Sequence, residues 1–123
     1  MQSNDIPYTD ILRREFEGED GSFLLRLRLE RHWDEAAFQG LVQAMYRAAR
    51  DLETADTLPK WLAQGFWLAH TFTAEWVAHP AFPKQAGVDY ARGCELLAHL
   101  AYYLFHGESP LAEGQLETWI FHD

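Results

Sequence analysis

Apolar positions recur at helical spacing through most of this chain. Over residues 34–52, Phe38, Leu41, Val42, Met45, Ala48, Ala49 and Leu52 follow the i, i+3, i+4, i+7 pattern of one helix face. Gln39, Gln43, Arg47 and Arg50 fall opposite, and Tyr46 stands at the edge of the apolar stripe. Asp34 occupies the position of an N-cap. Residues 89–106 predict a second helix whose core face is Tyr90, Cys94, Leu97, Leu100, Ala101, Leu104 and Phe105. Asp89 lies at its start and Gly107 provides the stop.

Between them, residues 58–79 carry three of the five tryptophans, Trp61, Trp67 and Trp76, together with Phe66 and Phe72. That is more aromatic surface than an ordinary surface helix carries, so the segment reads as the central helix of the domain. Thr57 or Leu58 is the expected cap, with Pro59 in the first turn, where a missing N–H does no harm. Leu62, Gly65, Phe66, Ala69, Phe72 and Trp76 cluster on one side, and Gly65 and Ala69 would admit a close neighbour. The opposite stripe reads Lys60, Gln64, Trp67, Thr71, Glu75 and Ala78, which leaves Trp67 among polar residues.

The two ends of the chain carry different signals. Phe23, Leu25, Leu27 and Leu29 alternate with Leu24, Arg26, Arg28 and Glu30, a period of two that predicts a half-buried strand. With the turn signal Gly18-Glu19-Asp20-Gly21 before it, residues 8–31 read as a β-hairpin. Ser109-Pro110 marks a helix start, with 110–120 placing Leu116, Trp119 and Ile120 inward. A strand over 115–122 that joins the hairpin is the alternative. Residues 1–7 are polar and read as a flexible tail ahead of a single domain, 8–123. The expected fold is mostly α: three main helices with the aromatic one central between the other two, an N-terminal β-hairpin, and a short C-terminal helix or strand.

Composition narrows the use of this fold. The formal net charge is −9, and no Lys or Arg follows Arg92, whereas Glu95, Glu108, Glu113, Glu117 and Asp123 do. A nucleic-acid or anionic-membrane surface needs a basic stripe, and none is visible. A basic protein partner is the one such a charge would steer in. No run of about 18 apolar residues exists to span a membrane. Met1 to Asp5 has neither the basic start nor the apolar stretch of a signal peptide, so a cytoplasmic protein is expected. The single cysteine, Cys94, excludes an internal disulfide and a multi-cysteine zinc site.

Candidate chemistry is sparse. On the 89–106 helix, Arg92, Glu95, His99, Tyr102 and His106 share the outer face, and Glu95 and His99 are i, i+4. His99 and His106 stand about 10 Å apart along the axis, too far to ligate one metal. Glu75 and His79 repeat the Glu-x-x-x-His spacing, so a metal site would have to form between helices from Glu75, His79, Glu95 and His99. This is the alternative, a small metal-dependent or acid–base enzyme; a solvated helix face is favoured. No cofactor is expected, since no nucleotide-binding fingerprint and no G-x-S-x-G elbow occur. Trp67 ringed by Lys60, Gln64, Thr71 and Glu75 fits a binding hot spot, and Glu113 and Glu117 extend the acidic surface.

In size, charge and candidate exposed aromatics, the chain resembles the small acidic one-domain proteins that neutralise bacterial toxins. No motif carries that resemblance. It implies a non-catalytic, inhibitor-like binding module for a basic partner. A self-associating structural domain, its surplus aromatics meeting a second copy, is the further alternative.

Overall fold

Leucine's helix propensity favours a helical N-terminal third. In the computed structural model, residues 7–121 are described, and they form six helices and no strand. The expected hairpin is instead two helices, α1 (Tyr8–Phe16) and α2 (Phe23–Glu30). The Gly18–Gly21 segment is the turn expected, with both glycines at positive φ, but it joins helices. Leu24 breaks the alternation in favour of the helical set. Phe23, Leu24 and Leu27 are buried together, whereas Leu29, which a strand would have turned inward, is 65% exposed. Local hydrogen bonds fix this choice. The Ser22 hydroxyl accepts the N–H of Leu25, and the buried Glu15 carboxylate accepts those of Phe23 and Leu24. Three of the four N–H groups that a helix start leaves unpaired are thereby satisfied. Pro7 opens α1, its carbonyl accepting from Asp10 and Ile11; the rest of the expected tail lies outside the described residues.

The periodic helices form as their patterns require. α3 (Glu35–Asp51) is capped by Asp34, whose side chain accepts from Ala37, and six of its seven expected core residues are buried; Leu52 lies half-buried just beyond it. Tyr46 is buried as well, so the stripe is wider than its strict period. α5 (Tyr90–His106) starts at Asp89 and ends at Gly107. Its core face is shifted from expectation: Tyr103 is buried and Phe105 is 42% exposed. α4 (Lys60–Ala78) begins after Pro59, which itself takes the N-cap position without a side-chain cap bond, in place of Thr57 or Leu58. α6 (Gln115–Phe121) is a helix, which removes the strand alternative, and it begins five residues later than 110. Leu116 and Ile120 are its buried residues, and Trp119 is half-buried.

Packing departs from the expected sandwich. α4 rests on α5, α1 and α2, and α3 rests chiefly on α1 and α5, with α6 against its side. The aromatic helix is therefore not enclosed by α3. α1 is the reason. Its Phe16 ring occupies the place that Gly65 leaves open on α4, where a Cβ would lie 2.0 Å from Phe16 Cδ2. The small residue admits a side chain from a helix that the hairpin expectation did not contain. A similar fit holds the other end of the core. A Cβ on Gly93 would stand 2.7 Å from the Trp33 ring, which packs with Phe23, Phe38 and Tyr90 at centroid distances of 4.8 to 5.2 Å.

Candidate interaction face

The outer side of α4 is where the fold leaves apolar surface uncovered. Trp67 is 58% exposed and its neighbour Leu68 is 50% exposed. The apolar residues of the helix extend beyond one face, and its buried residues are Leu62, Gly65, Phe66, Ala69, Thr73 and Val77. Around Trp67, Lys60, Gln64 and Glu75 are exposed and Thr71 is half-buried, so the polar ring read from the sequence is present. The Thr71 hydroxyl donates to the Trp67 carbonyl at 2.8 Å, and the His70 ring meets the Trp67 ring edge-on at 5.8 Å. Only the His70 contact touches the indole, and it leaves the ring uncovered.

Beside this ring runs a groove of about 240 Å³ between α2 and α4. Phe16, Leu24, Leu25, Leu68 and Phe72 line it, and Glu17 and Arg28 flank it. Leu29 extends the exposed apolar surface of α2, one turn beyond Leu25. Farther along α4, Phe72 stacks on Trp76 at 5.5 Å, and the Trp76 indole N–H donates to the Leu27 carbonyl, tying the two helices together. Reading stripes on α4 alone missed Leu68 and this groove. The available signal was that apolar residues extend beyond the inward cluster of the helix, which leaves apolar side chains exposed wherever neighbours do not reach.

The two acidic candidates from the C-terminal third lie elsewhere. Glu113 is exposed ahead of α6. Glu117 accepts a 2.5 Å hydrogen bond from the Tyr46 hydroxyl, which joins α6 to α3. They do not extend the α4 face.

The residues weighed for chemistry are also dispersed. Glu95 approaches His99 at 3.9 Å on α5, and the His99 ring stacks against Trp119 at 5.6 Å. His79 ends α4, and its Nδ1 accepts the N–H of Ala81. Glu75 is exposed. Among the described residues, no three His, Cys, Asp or Glu side chains converge as a metal ion requires, so Glu75, His79, Glu95 and His99 do not form the interhelical site considered above.

Groups whose protonation is displaced serve local contacts. Burial pushes the Glu15 carboxyl up against the opposing pull of its two backbone donors. The N–H of Ala37 and the Arg26 guanidinium hold Asp34 below the usual carboxylate range, burial opposing them. Burial raises the Tyr46 phenol, and the bond to Glu117 adds to it. Burial likewise raises the Tyr103 phenol, which donates to Glu53. Tyr8 is pushed up to about 12, chiefly by its hydrogen bond to Asp51. The Cys94 thiol is raised by burial, which disfavours the reactive thiolate.

Among the described residues, no helix is long and apolar enough to cross a membrane. No protein-family model, curated protein or solved structure matches this chain.

Proposed function

We propose that the chain is a non-catalytic protein-binding module whose contact face is the outer side of α4 with the adjoining α2–α4 groove. The observation that carries this reading is the pair Trp67 and Leu68, adjacent on α4 and each a large apolar side chain at least half exposed. An exposed tryptophan inside a ring of Lys60, Gln64, Thr71 and Glu75 has the composition of an interface hot spot and its rim. The groove suits an amphipathic helix laid along it, with one apolar side chain seated between Phe16 and Phe72. The formal charge of −9 favours a basic partner, through faster encounter and rejection of acidic competitors. An inhibitor that neutralises a basic protein fits this chemistry. The tyrosines and carboxylates with displaced protonation support the non-catalytic reading, because each closes a contact between structural elements.

The test uses the full chain as bait in an extract of its source cells, at low and at high salt, beside Trp67→Ala and Leu68→Ala. The expected result is one stoichiometric basic protein that wild type retains at low salt, that high salt releases, and that both variants fail to hold. Retention unchanged by both variants would overturn the assignment of the face. A solution mass twice that of the chain, with no foreign partner, would replace this reading with self-association through the same surface.

A further inference from the structure

On another side of the bundle, the first turns of α3 and α5 and the indole of Trp119 enclose a cleft of about 440 Å³. That lies within the range of about 300–1,000 Å³ typical of small-ligand sites. Its walls differ in chemistry. On one stands the Arg92 guanidinium, lying over the Trp119 ring at 3.9 Å. Stacking uses the guanidinium's face and leaves its edge donors free for a planar anion such as a carboxylate. The ion pairs among the described residues do not include Arg92.

Glu35 and Asp89 supply the opposite charge. Glu35 is held in place twice over, accepting from the Trp33 indole N–H at 2.9 Å and from the Gln39 amide at 2.9 Å. Each of its oxygens keeps a further lone pair for a donor. Asp89 accepts the N–H of Arg92 through Oδ1, and its Oδ2 takes part in no hydrogen bond among the described residues. Between the charges, Trp33, Phe38 and Leu96 provide apolar lining. The seat is firm. Trp33 is only 2% exposed, and Gln85 clamps its backbone, accepting its N–H at 2.6 Å and donating to its carbonyl at 3.2 Å.

From this juxtaposition we infer that the cleft binds a small zwitterion of the amino-acid class with an apolar or aromatic side chain. Arg92 takes its carboxylate, Glu35 and Asp89 take its ammonium, and Trp33, Phe38 and Leu96 receive its side chain. Glu35 is the cleft's positioning anchor because its geometry is set before the ligand arrives, which limits the ordering that binding demands. The site shares no residue with the α4 face and stands or falls independently of it.

The test is an NMR titration of the full-length, isotope-labelled protein with L-phenylalanine, L-tryptophan and L-leucine. The signals followed are the Trp33 and Trp119 indole N–H groups and the Gly93 amide. The parallel arms are phenethylamine, which lacks the carboxylate, and 3-phenylpropionate, which lacks the amine. Saturable shifts confined to the cleft are expected for at least one amino acid. For the phenyl series, each truncated analogue is expected to bind about tenfold more weakly or worse, as the loss of a charge-assisted contact implies. Arg92→Lys should weaken the amino acid and 3-phenylpropionate but leave phenethylamine unchanged. Glu35→Gln, which keeps an acceptor for Trp33, should weaken the amino acid and phenethylamine only. Acetylated and amidated phenylalanine repeat the test without truncation: capping either end should weaken binding as the matching truncation does, capping both should abolish it, and no loss on capping one end would overturn the pairing of that charge. No saturable shift with any of the three amino acids would overturn the inference. Equal affinity for phenylalanine and both truncated analogues would overturn it too, by showing that apolar adsorption alone is at work.

Discussion

The Glu15 carboxylate accepts the N–H of Phe23 at 2.6 Å, so the end of α1 caps the start of α2. A second oxygen reaches the N–H of Leu24 at 3.1 Å, and Glu15 itself is buried. This contact converts a leucine-rich segment of ambiguous period into a helix docked at a fixed angle to its predecessor. Glu15→Ala should destabilise the fold by about 1–3 kcal/mol, because two buried donors lose their acceptor. Urea unfolding at neutral pH measures it.

Glu15 also imposes a pH signature. Burial outweighs the two donors and raises its pKa in the folded state. The folded protein therefore holds the proton more tightly than the unfolded chain. The associated stabilisation is full below the ordinary carboxylate pKa and is lost as pH rises through the raised folded value. Relative to Glu15→Gln, which cannot titrate there, wild type should gain stability as pH falls through that window. Paired urea curves from neutral to mildly acidic pH check the sign; a difference that shrinks on acidification would contradict it.

Gly65 and Phe16 form a steric lock between α4 and α1. The added methyl of Gly65→Ala would come within 2.0 Å of Phe16 Cδ2. The ring must leave its seat, and overpacking of this kind costs about 1–3 kcal/mol. Phe16→Leu alone should also destabilise, yet the double variant should be less unstable than the sum of the two. A double-mutant cycle by chemical denaturation reads this coupling directly.

Trp67 and Phe66 are neighbours in sequence with opposite roles. Phe66 is fully buried and Trp67 is 58% exposed. Phe66→Ala should cost about 3–5 kcal/mol. Trp67→Ala should leave stability within about 0.5 kcal/mol of wild type. Thermal or urea unfolding of the two variants separates a core aromatic from one that lies outside the core.

Tyr8 donates to Asp51 at 2.6 Å, and its phenol is pushed up to about 12. The neutral phenol is the favoured form in the folded state, so this contact holds below the ordinary tyrosine pKa and is lost as pH rises through about 12. Ultraviolet titration should show Tyr8 ionising after an unperturbed phenol. Tyr8→Phe should remove one late-titrating group and leave the early ones unchanged.

How far the chain could be read depended on whether each segment's signal was local. α3 and α5 were legible because an Asp cap, a single apolar stripe and, for α5, a glycine stop all describe one helix. The Gly18–Gly21 turn was equally plain. The segment after it was not, since Phe23, Leu25, Leu27 and Leu29 satisfy a strand's alternation while Phe23, Leu24 and Leu27 satisfy a helix. The deciding group, Glu15, lies eight residues upstream. The polar ring around Trp67 could be drawn from helical geometry, but its exposure could not. The cluster of Leu62, Gly65, Phe66 and Ala69 marked the inward side of α4 correctly, but Trp67 and Leu68 lie beyond it, and only the neighbouring helices decide whether apolar residues there are covered. The interhelical Glu–His grouping failed for a related reason: i, i+4 spacing sets neighbours along one helix and says nothing about the facing helix.

By itself the sequence determined the acidic charge, the helices with a single stripe and cap, and the presence of more aromatic surface than one small core needs. Tertiary structure alone decided which of that surface stays uncovered. Phe16 occupies the gap at Gly65, α3 settles on α1 and α5, and Trp67 with Leu68 remains outside. A helix with apolar residues beyond its inward stripe can be covered on more than one side, so its exposed apolar surface is set by which neighbours fit against it. The cleft between Arg92 and Glu35 was hidden by the same limit, because its charges come from separate elements that meet only after the Trp33 ring has settled against Gly93.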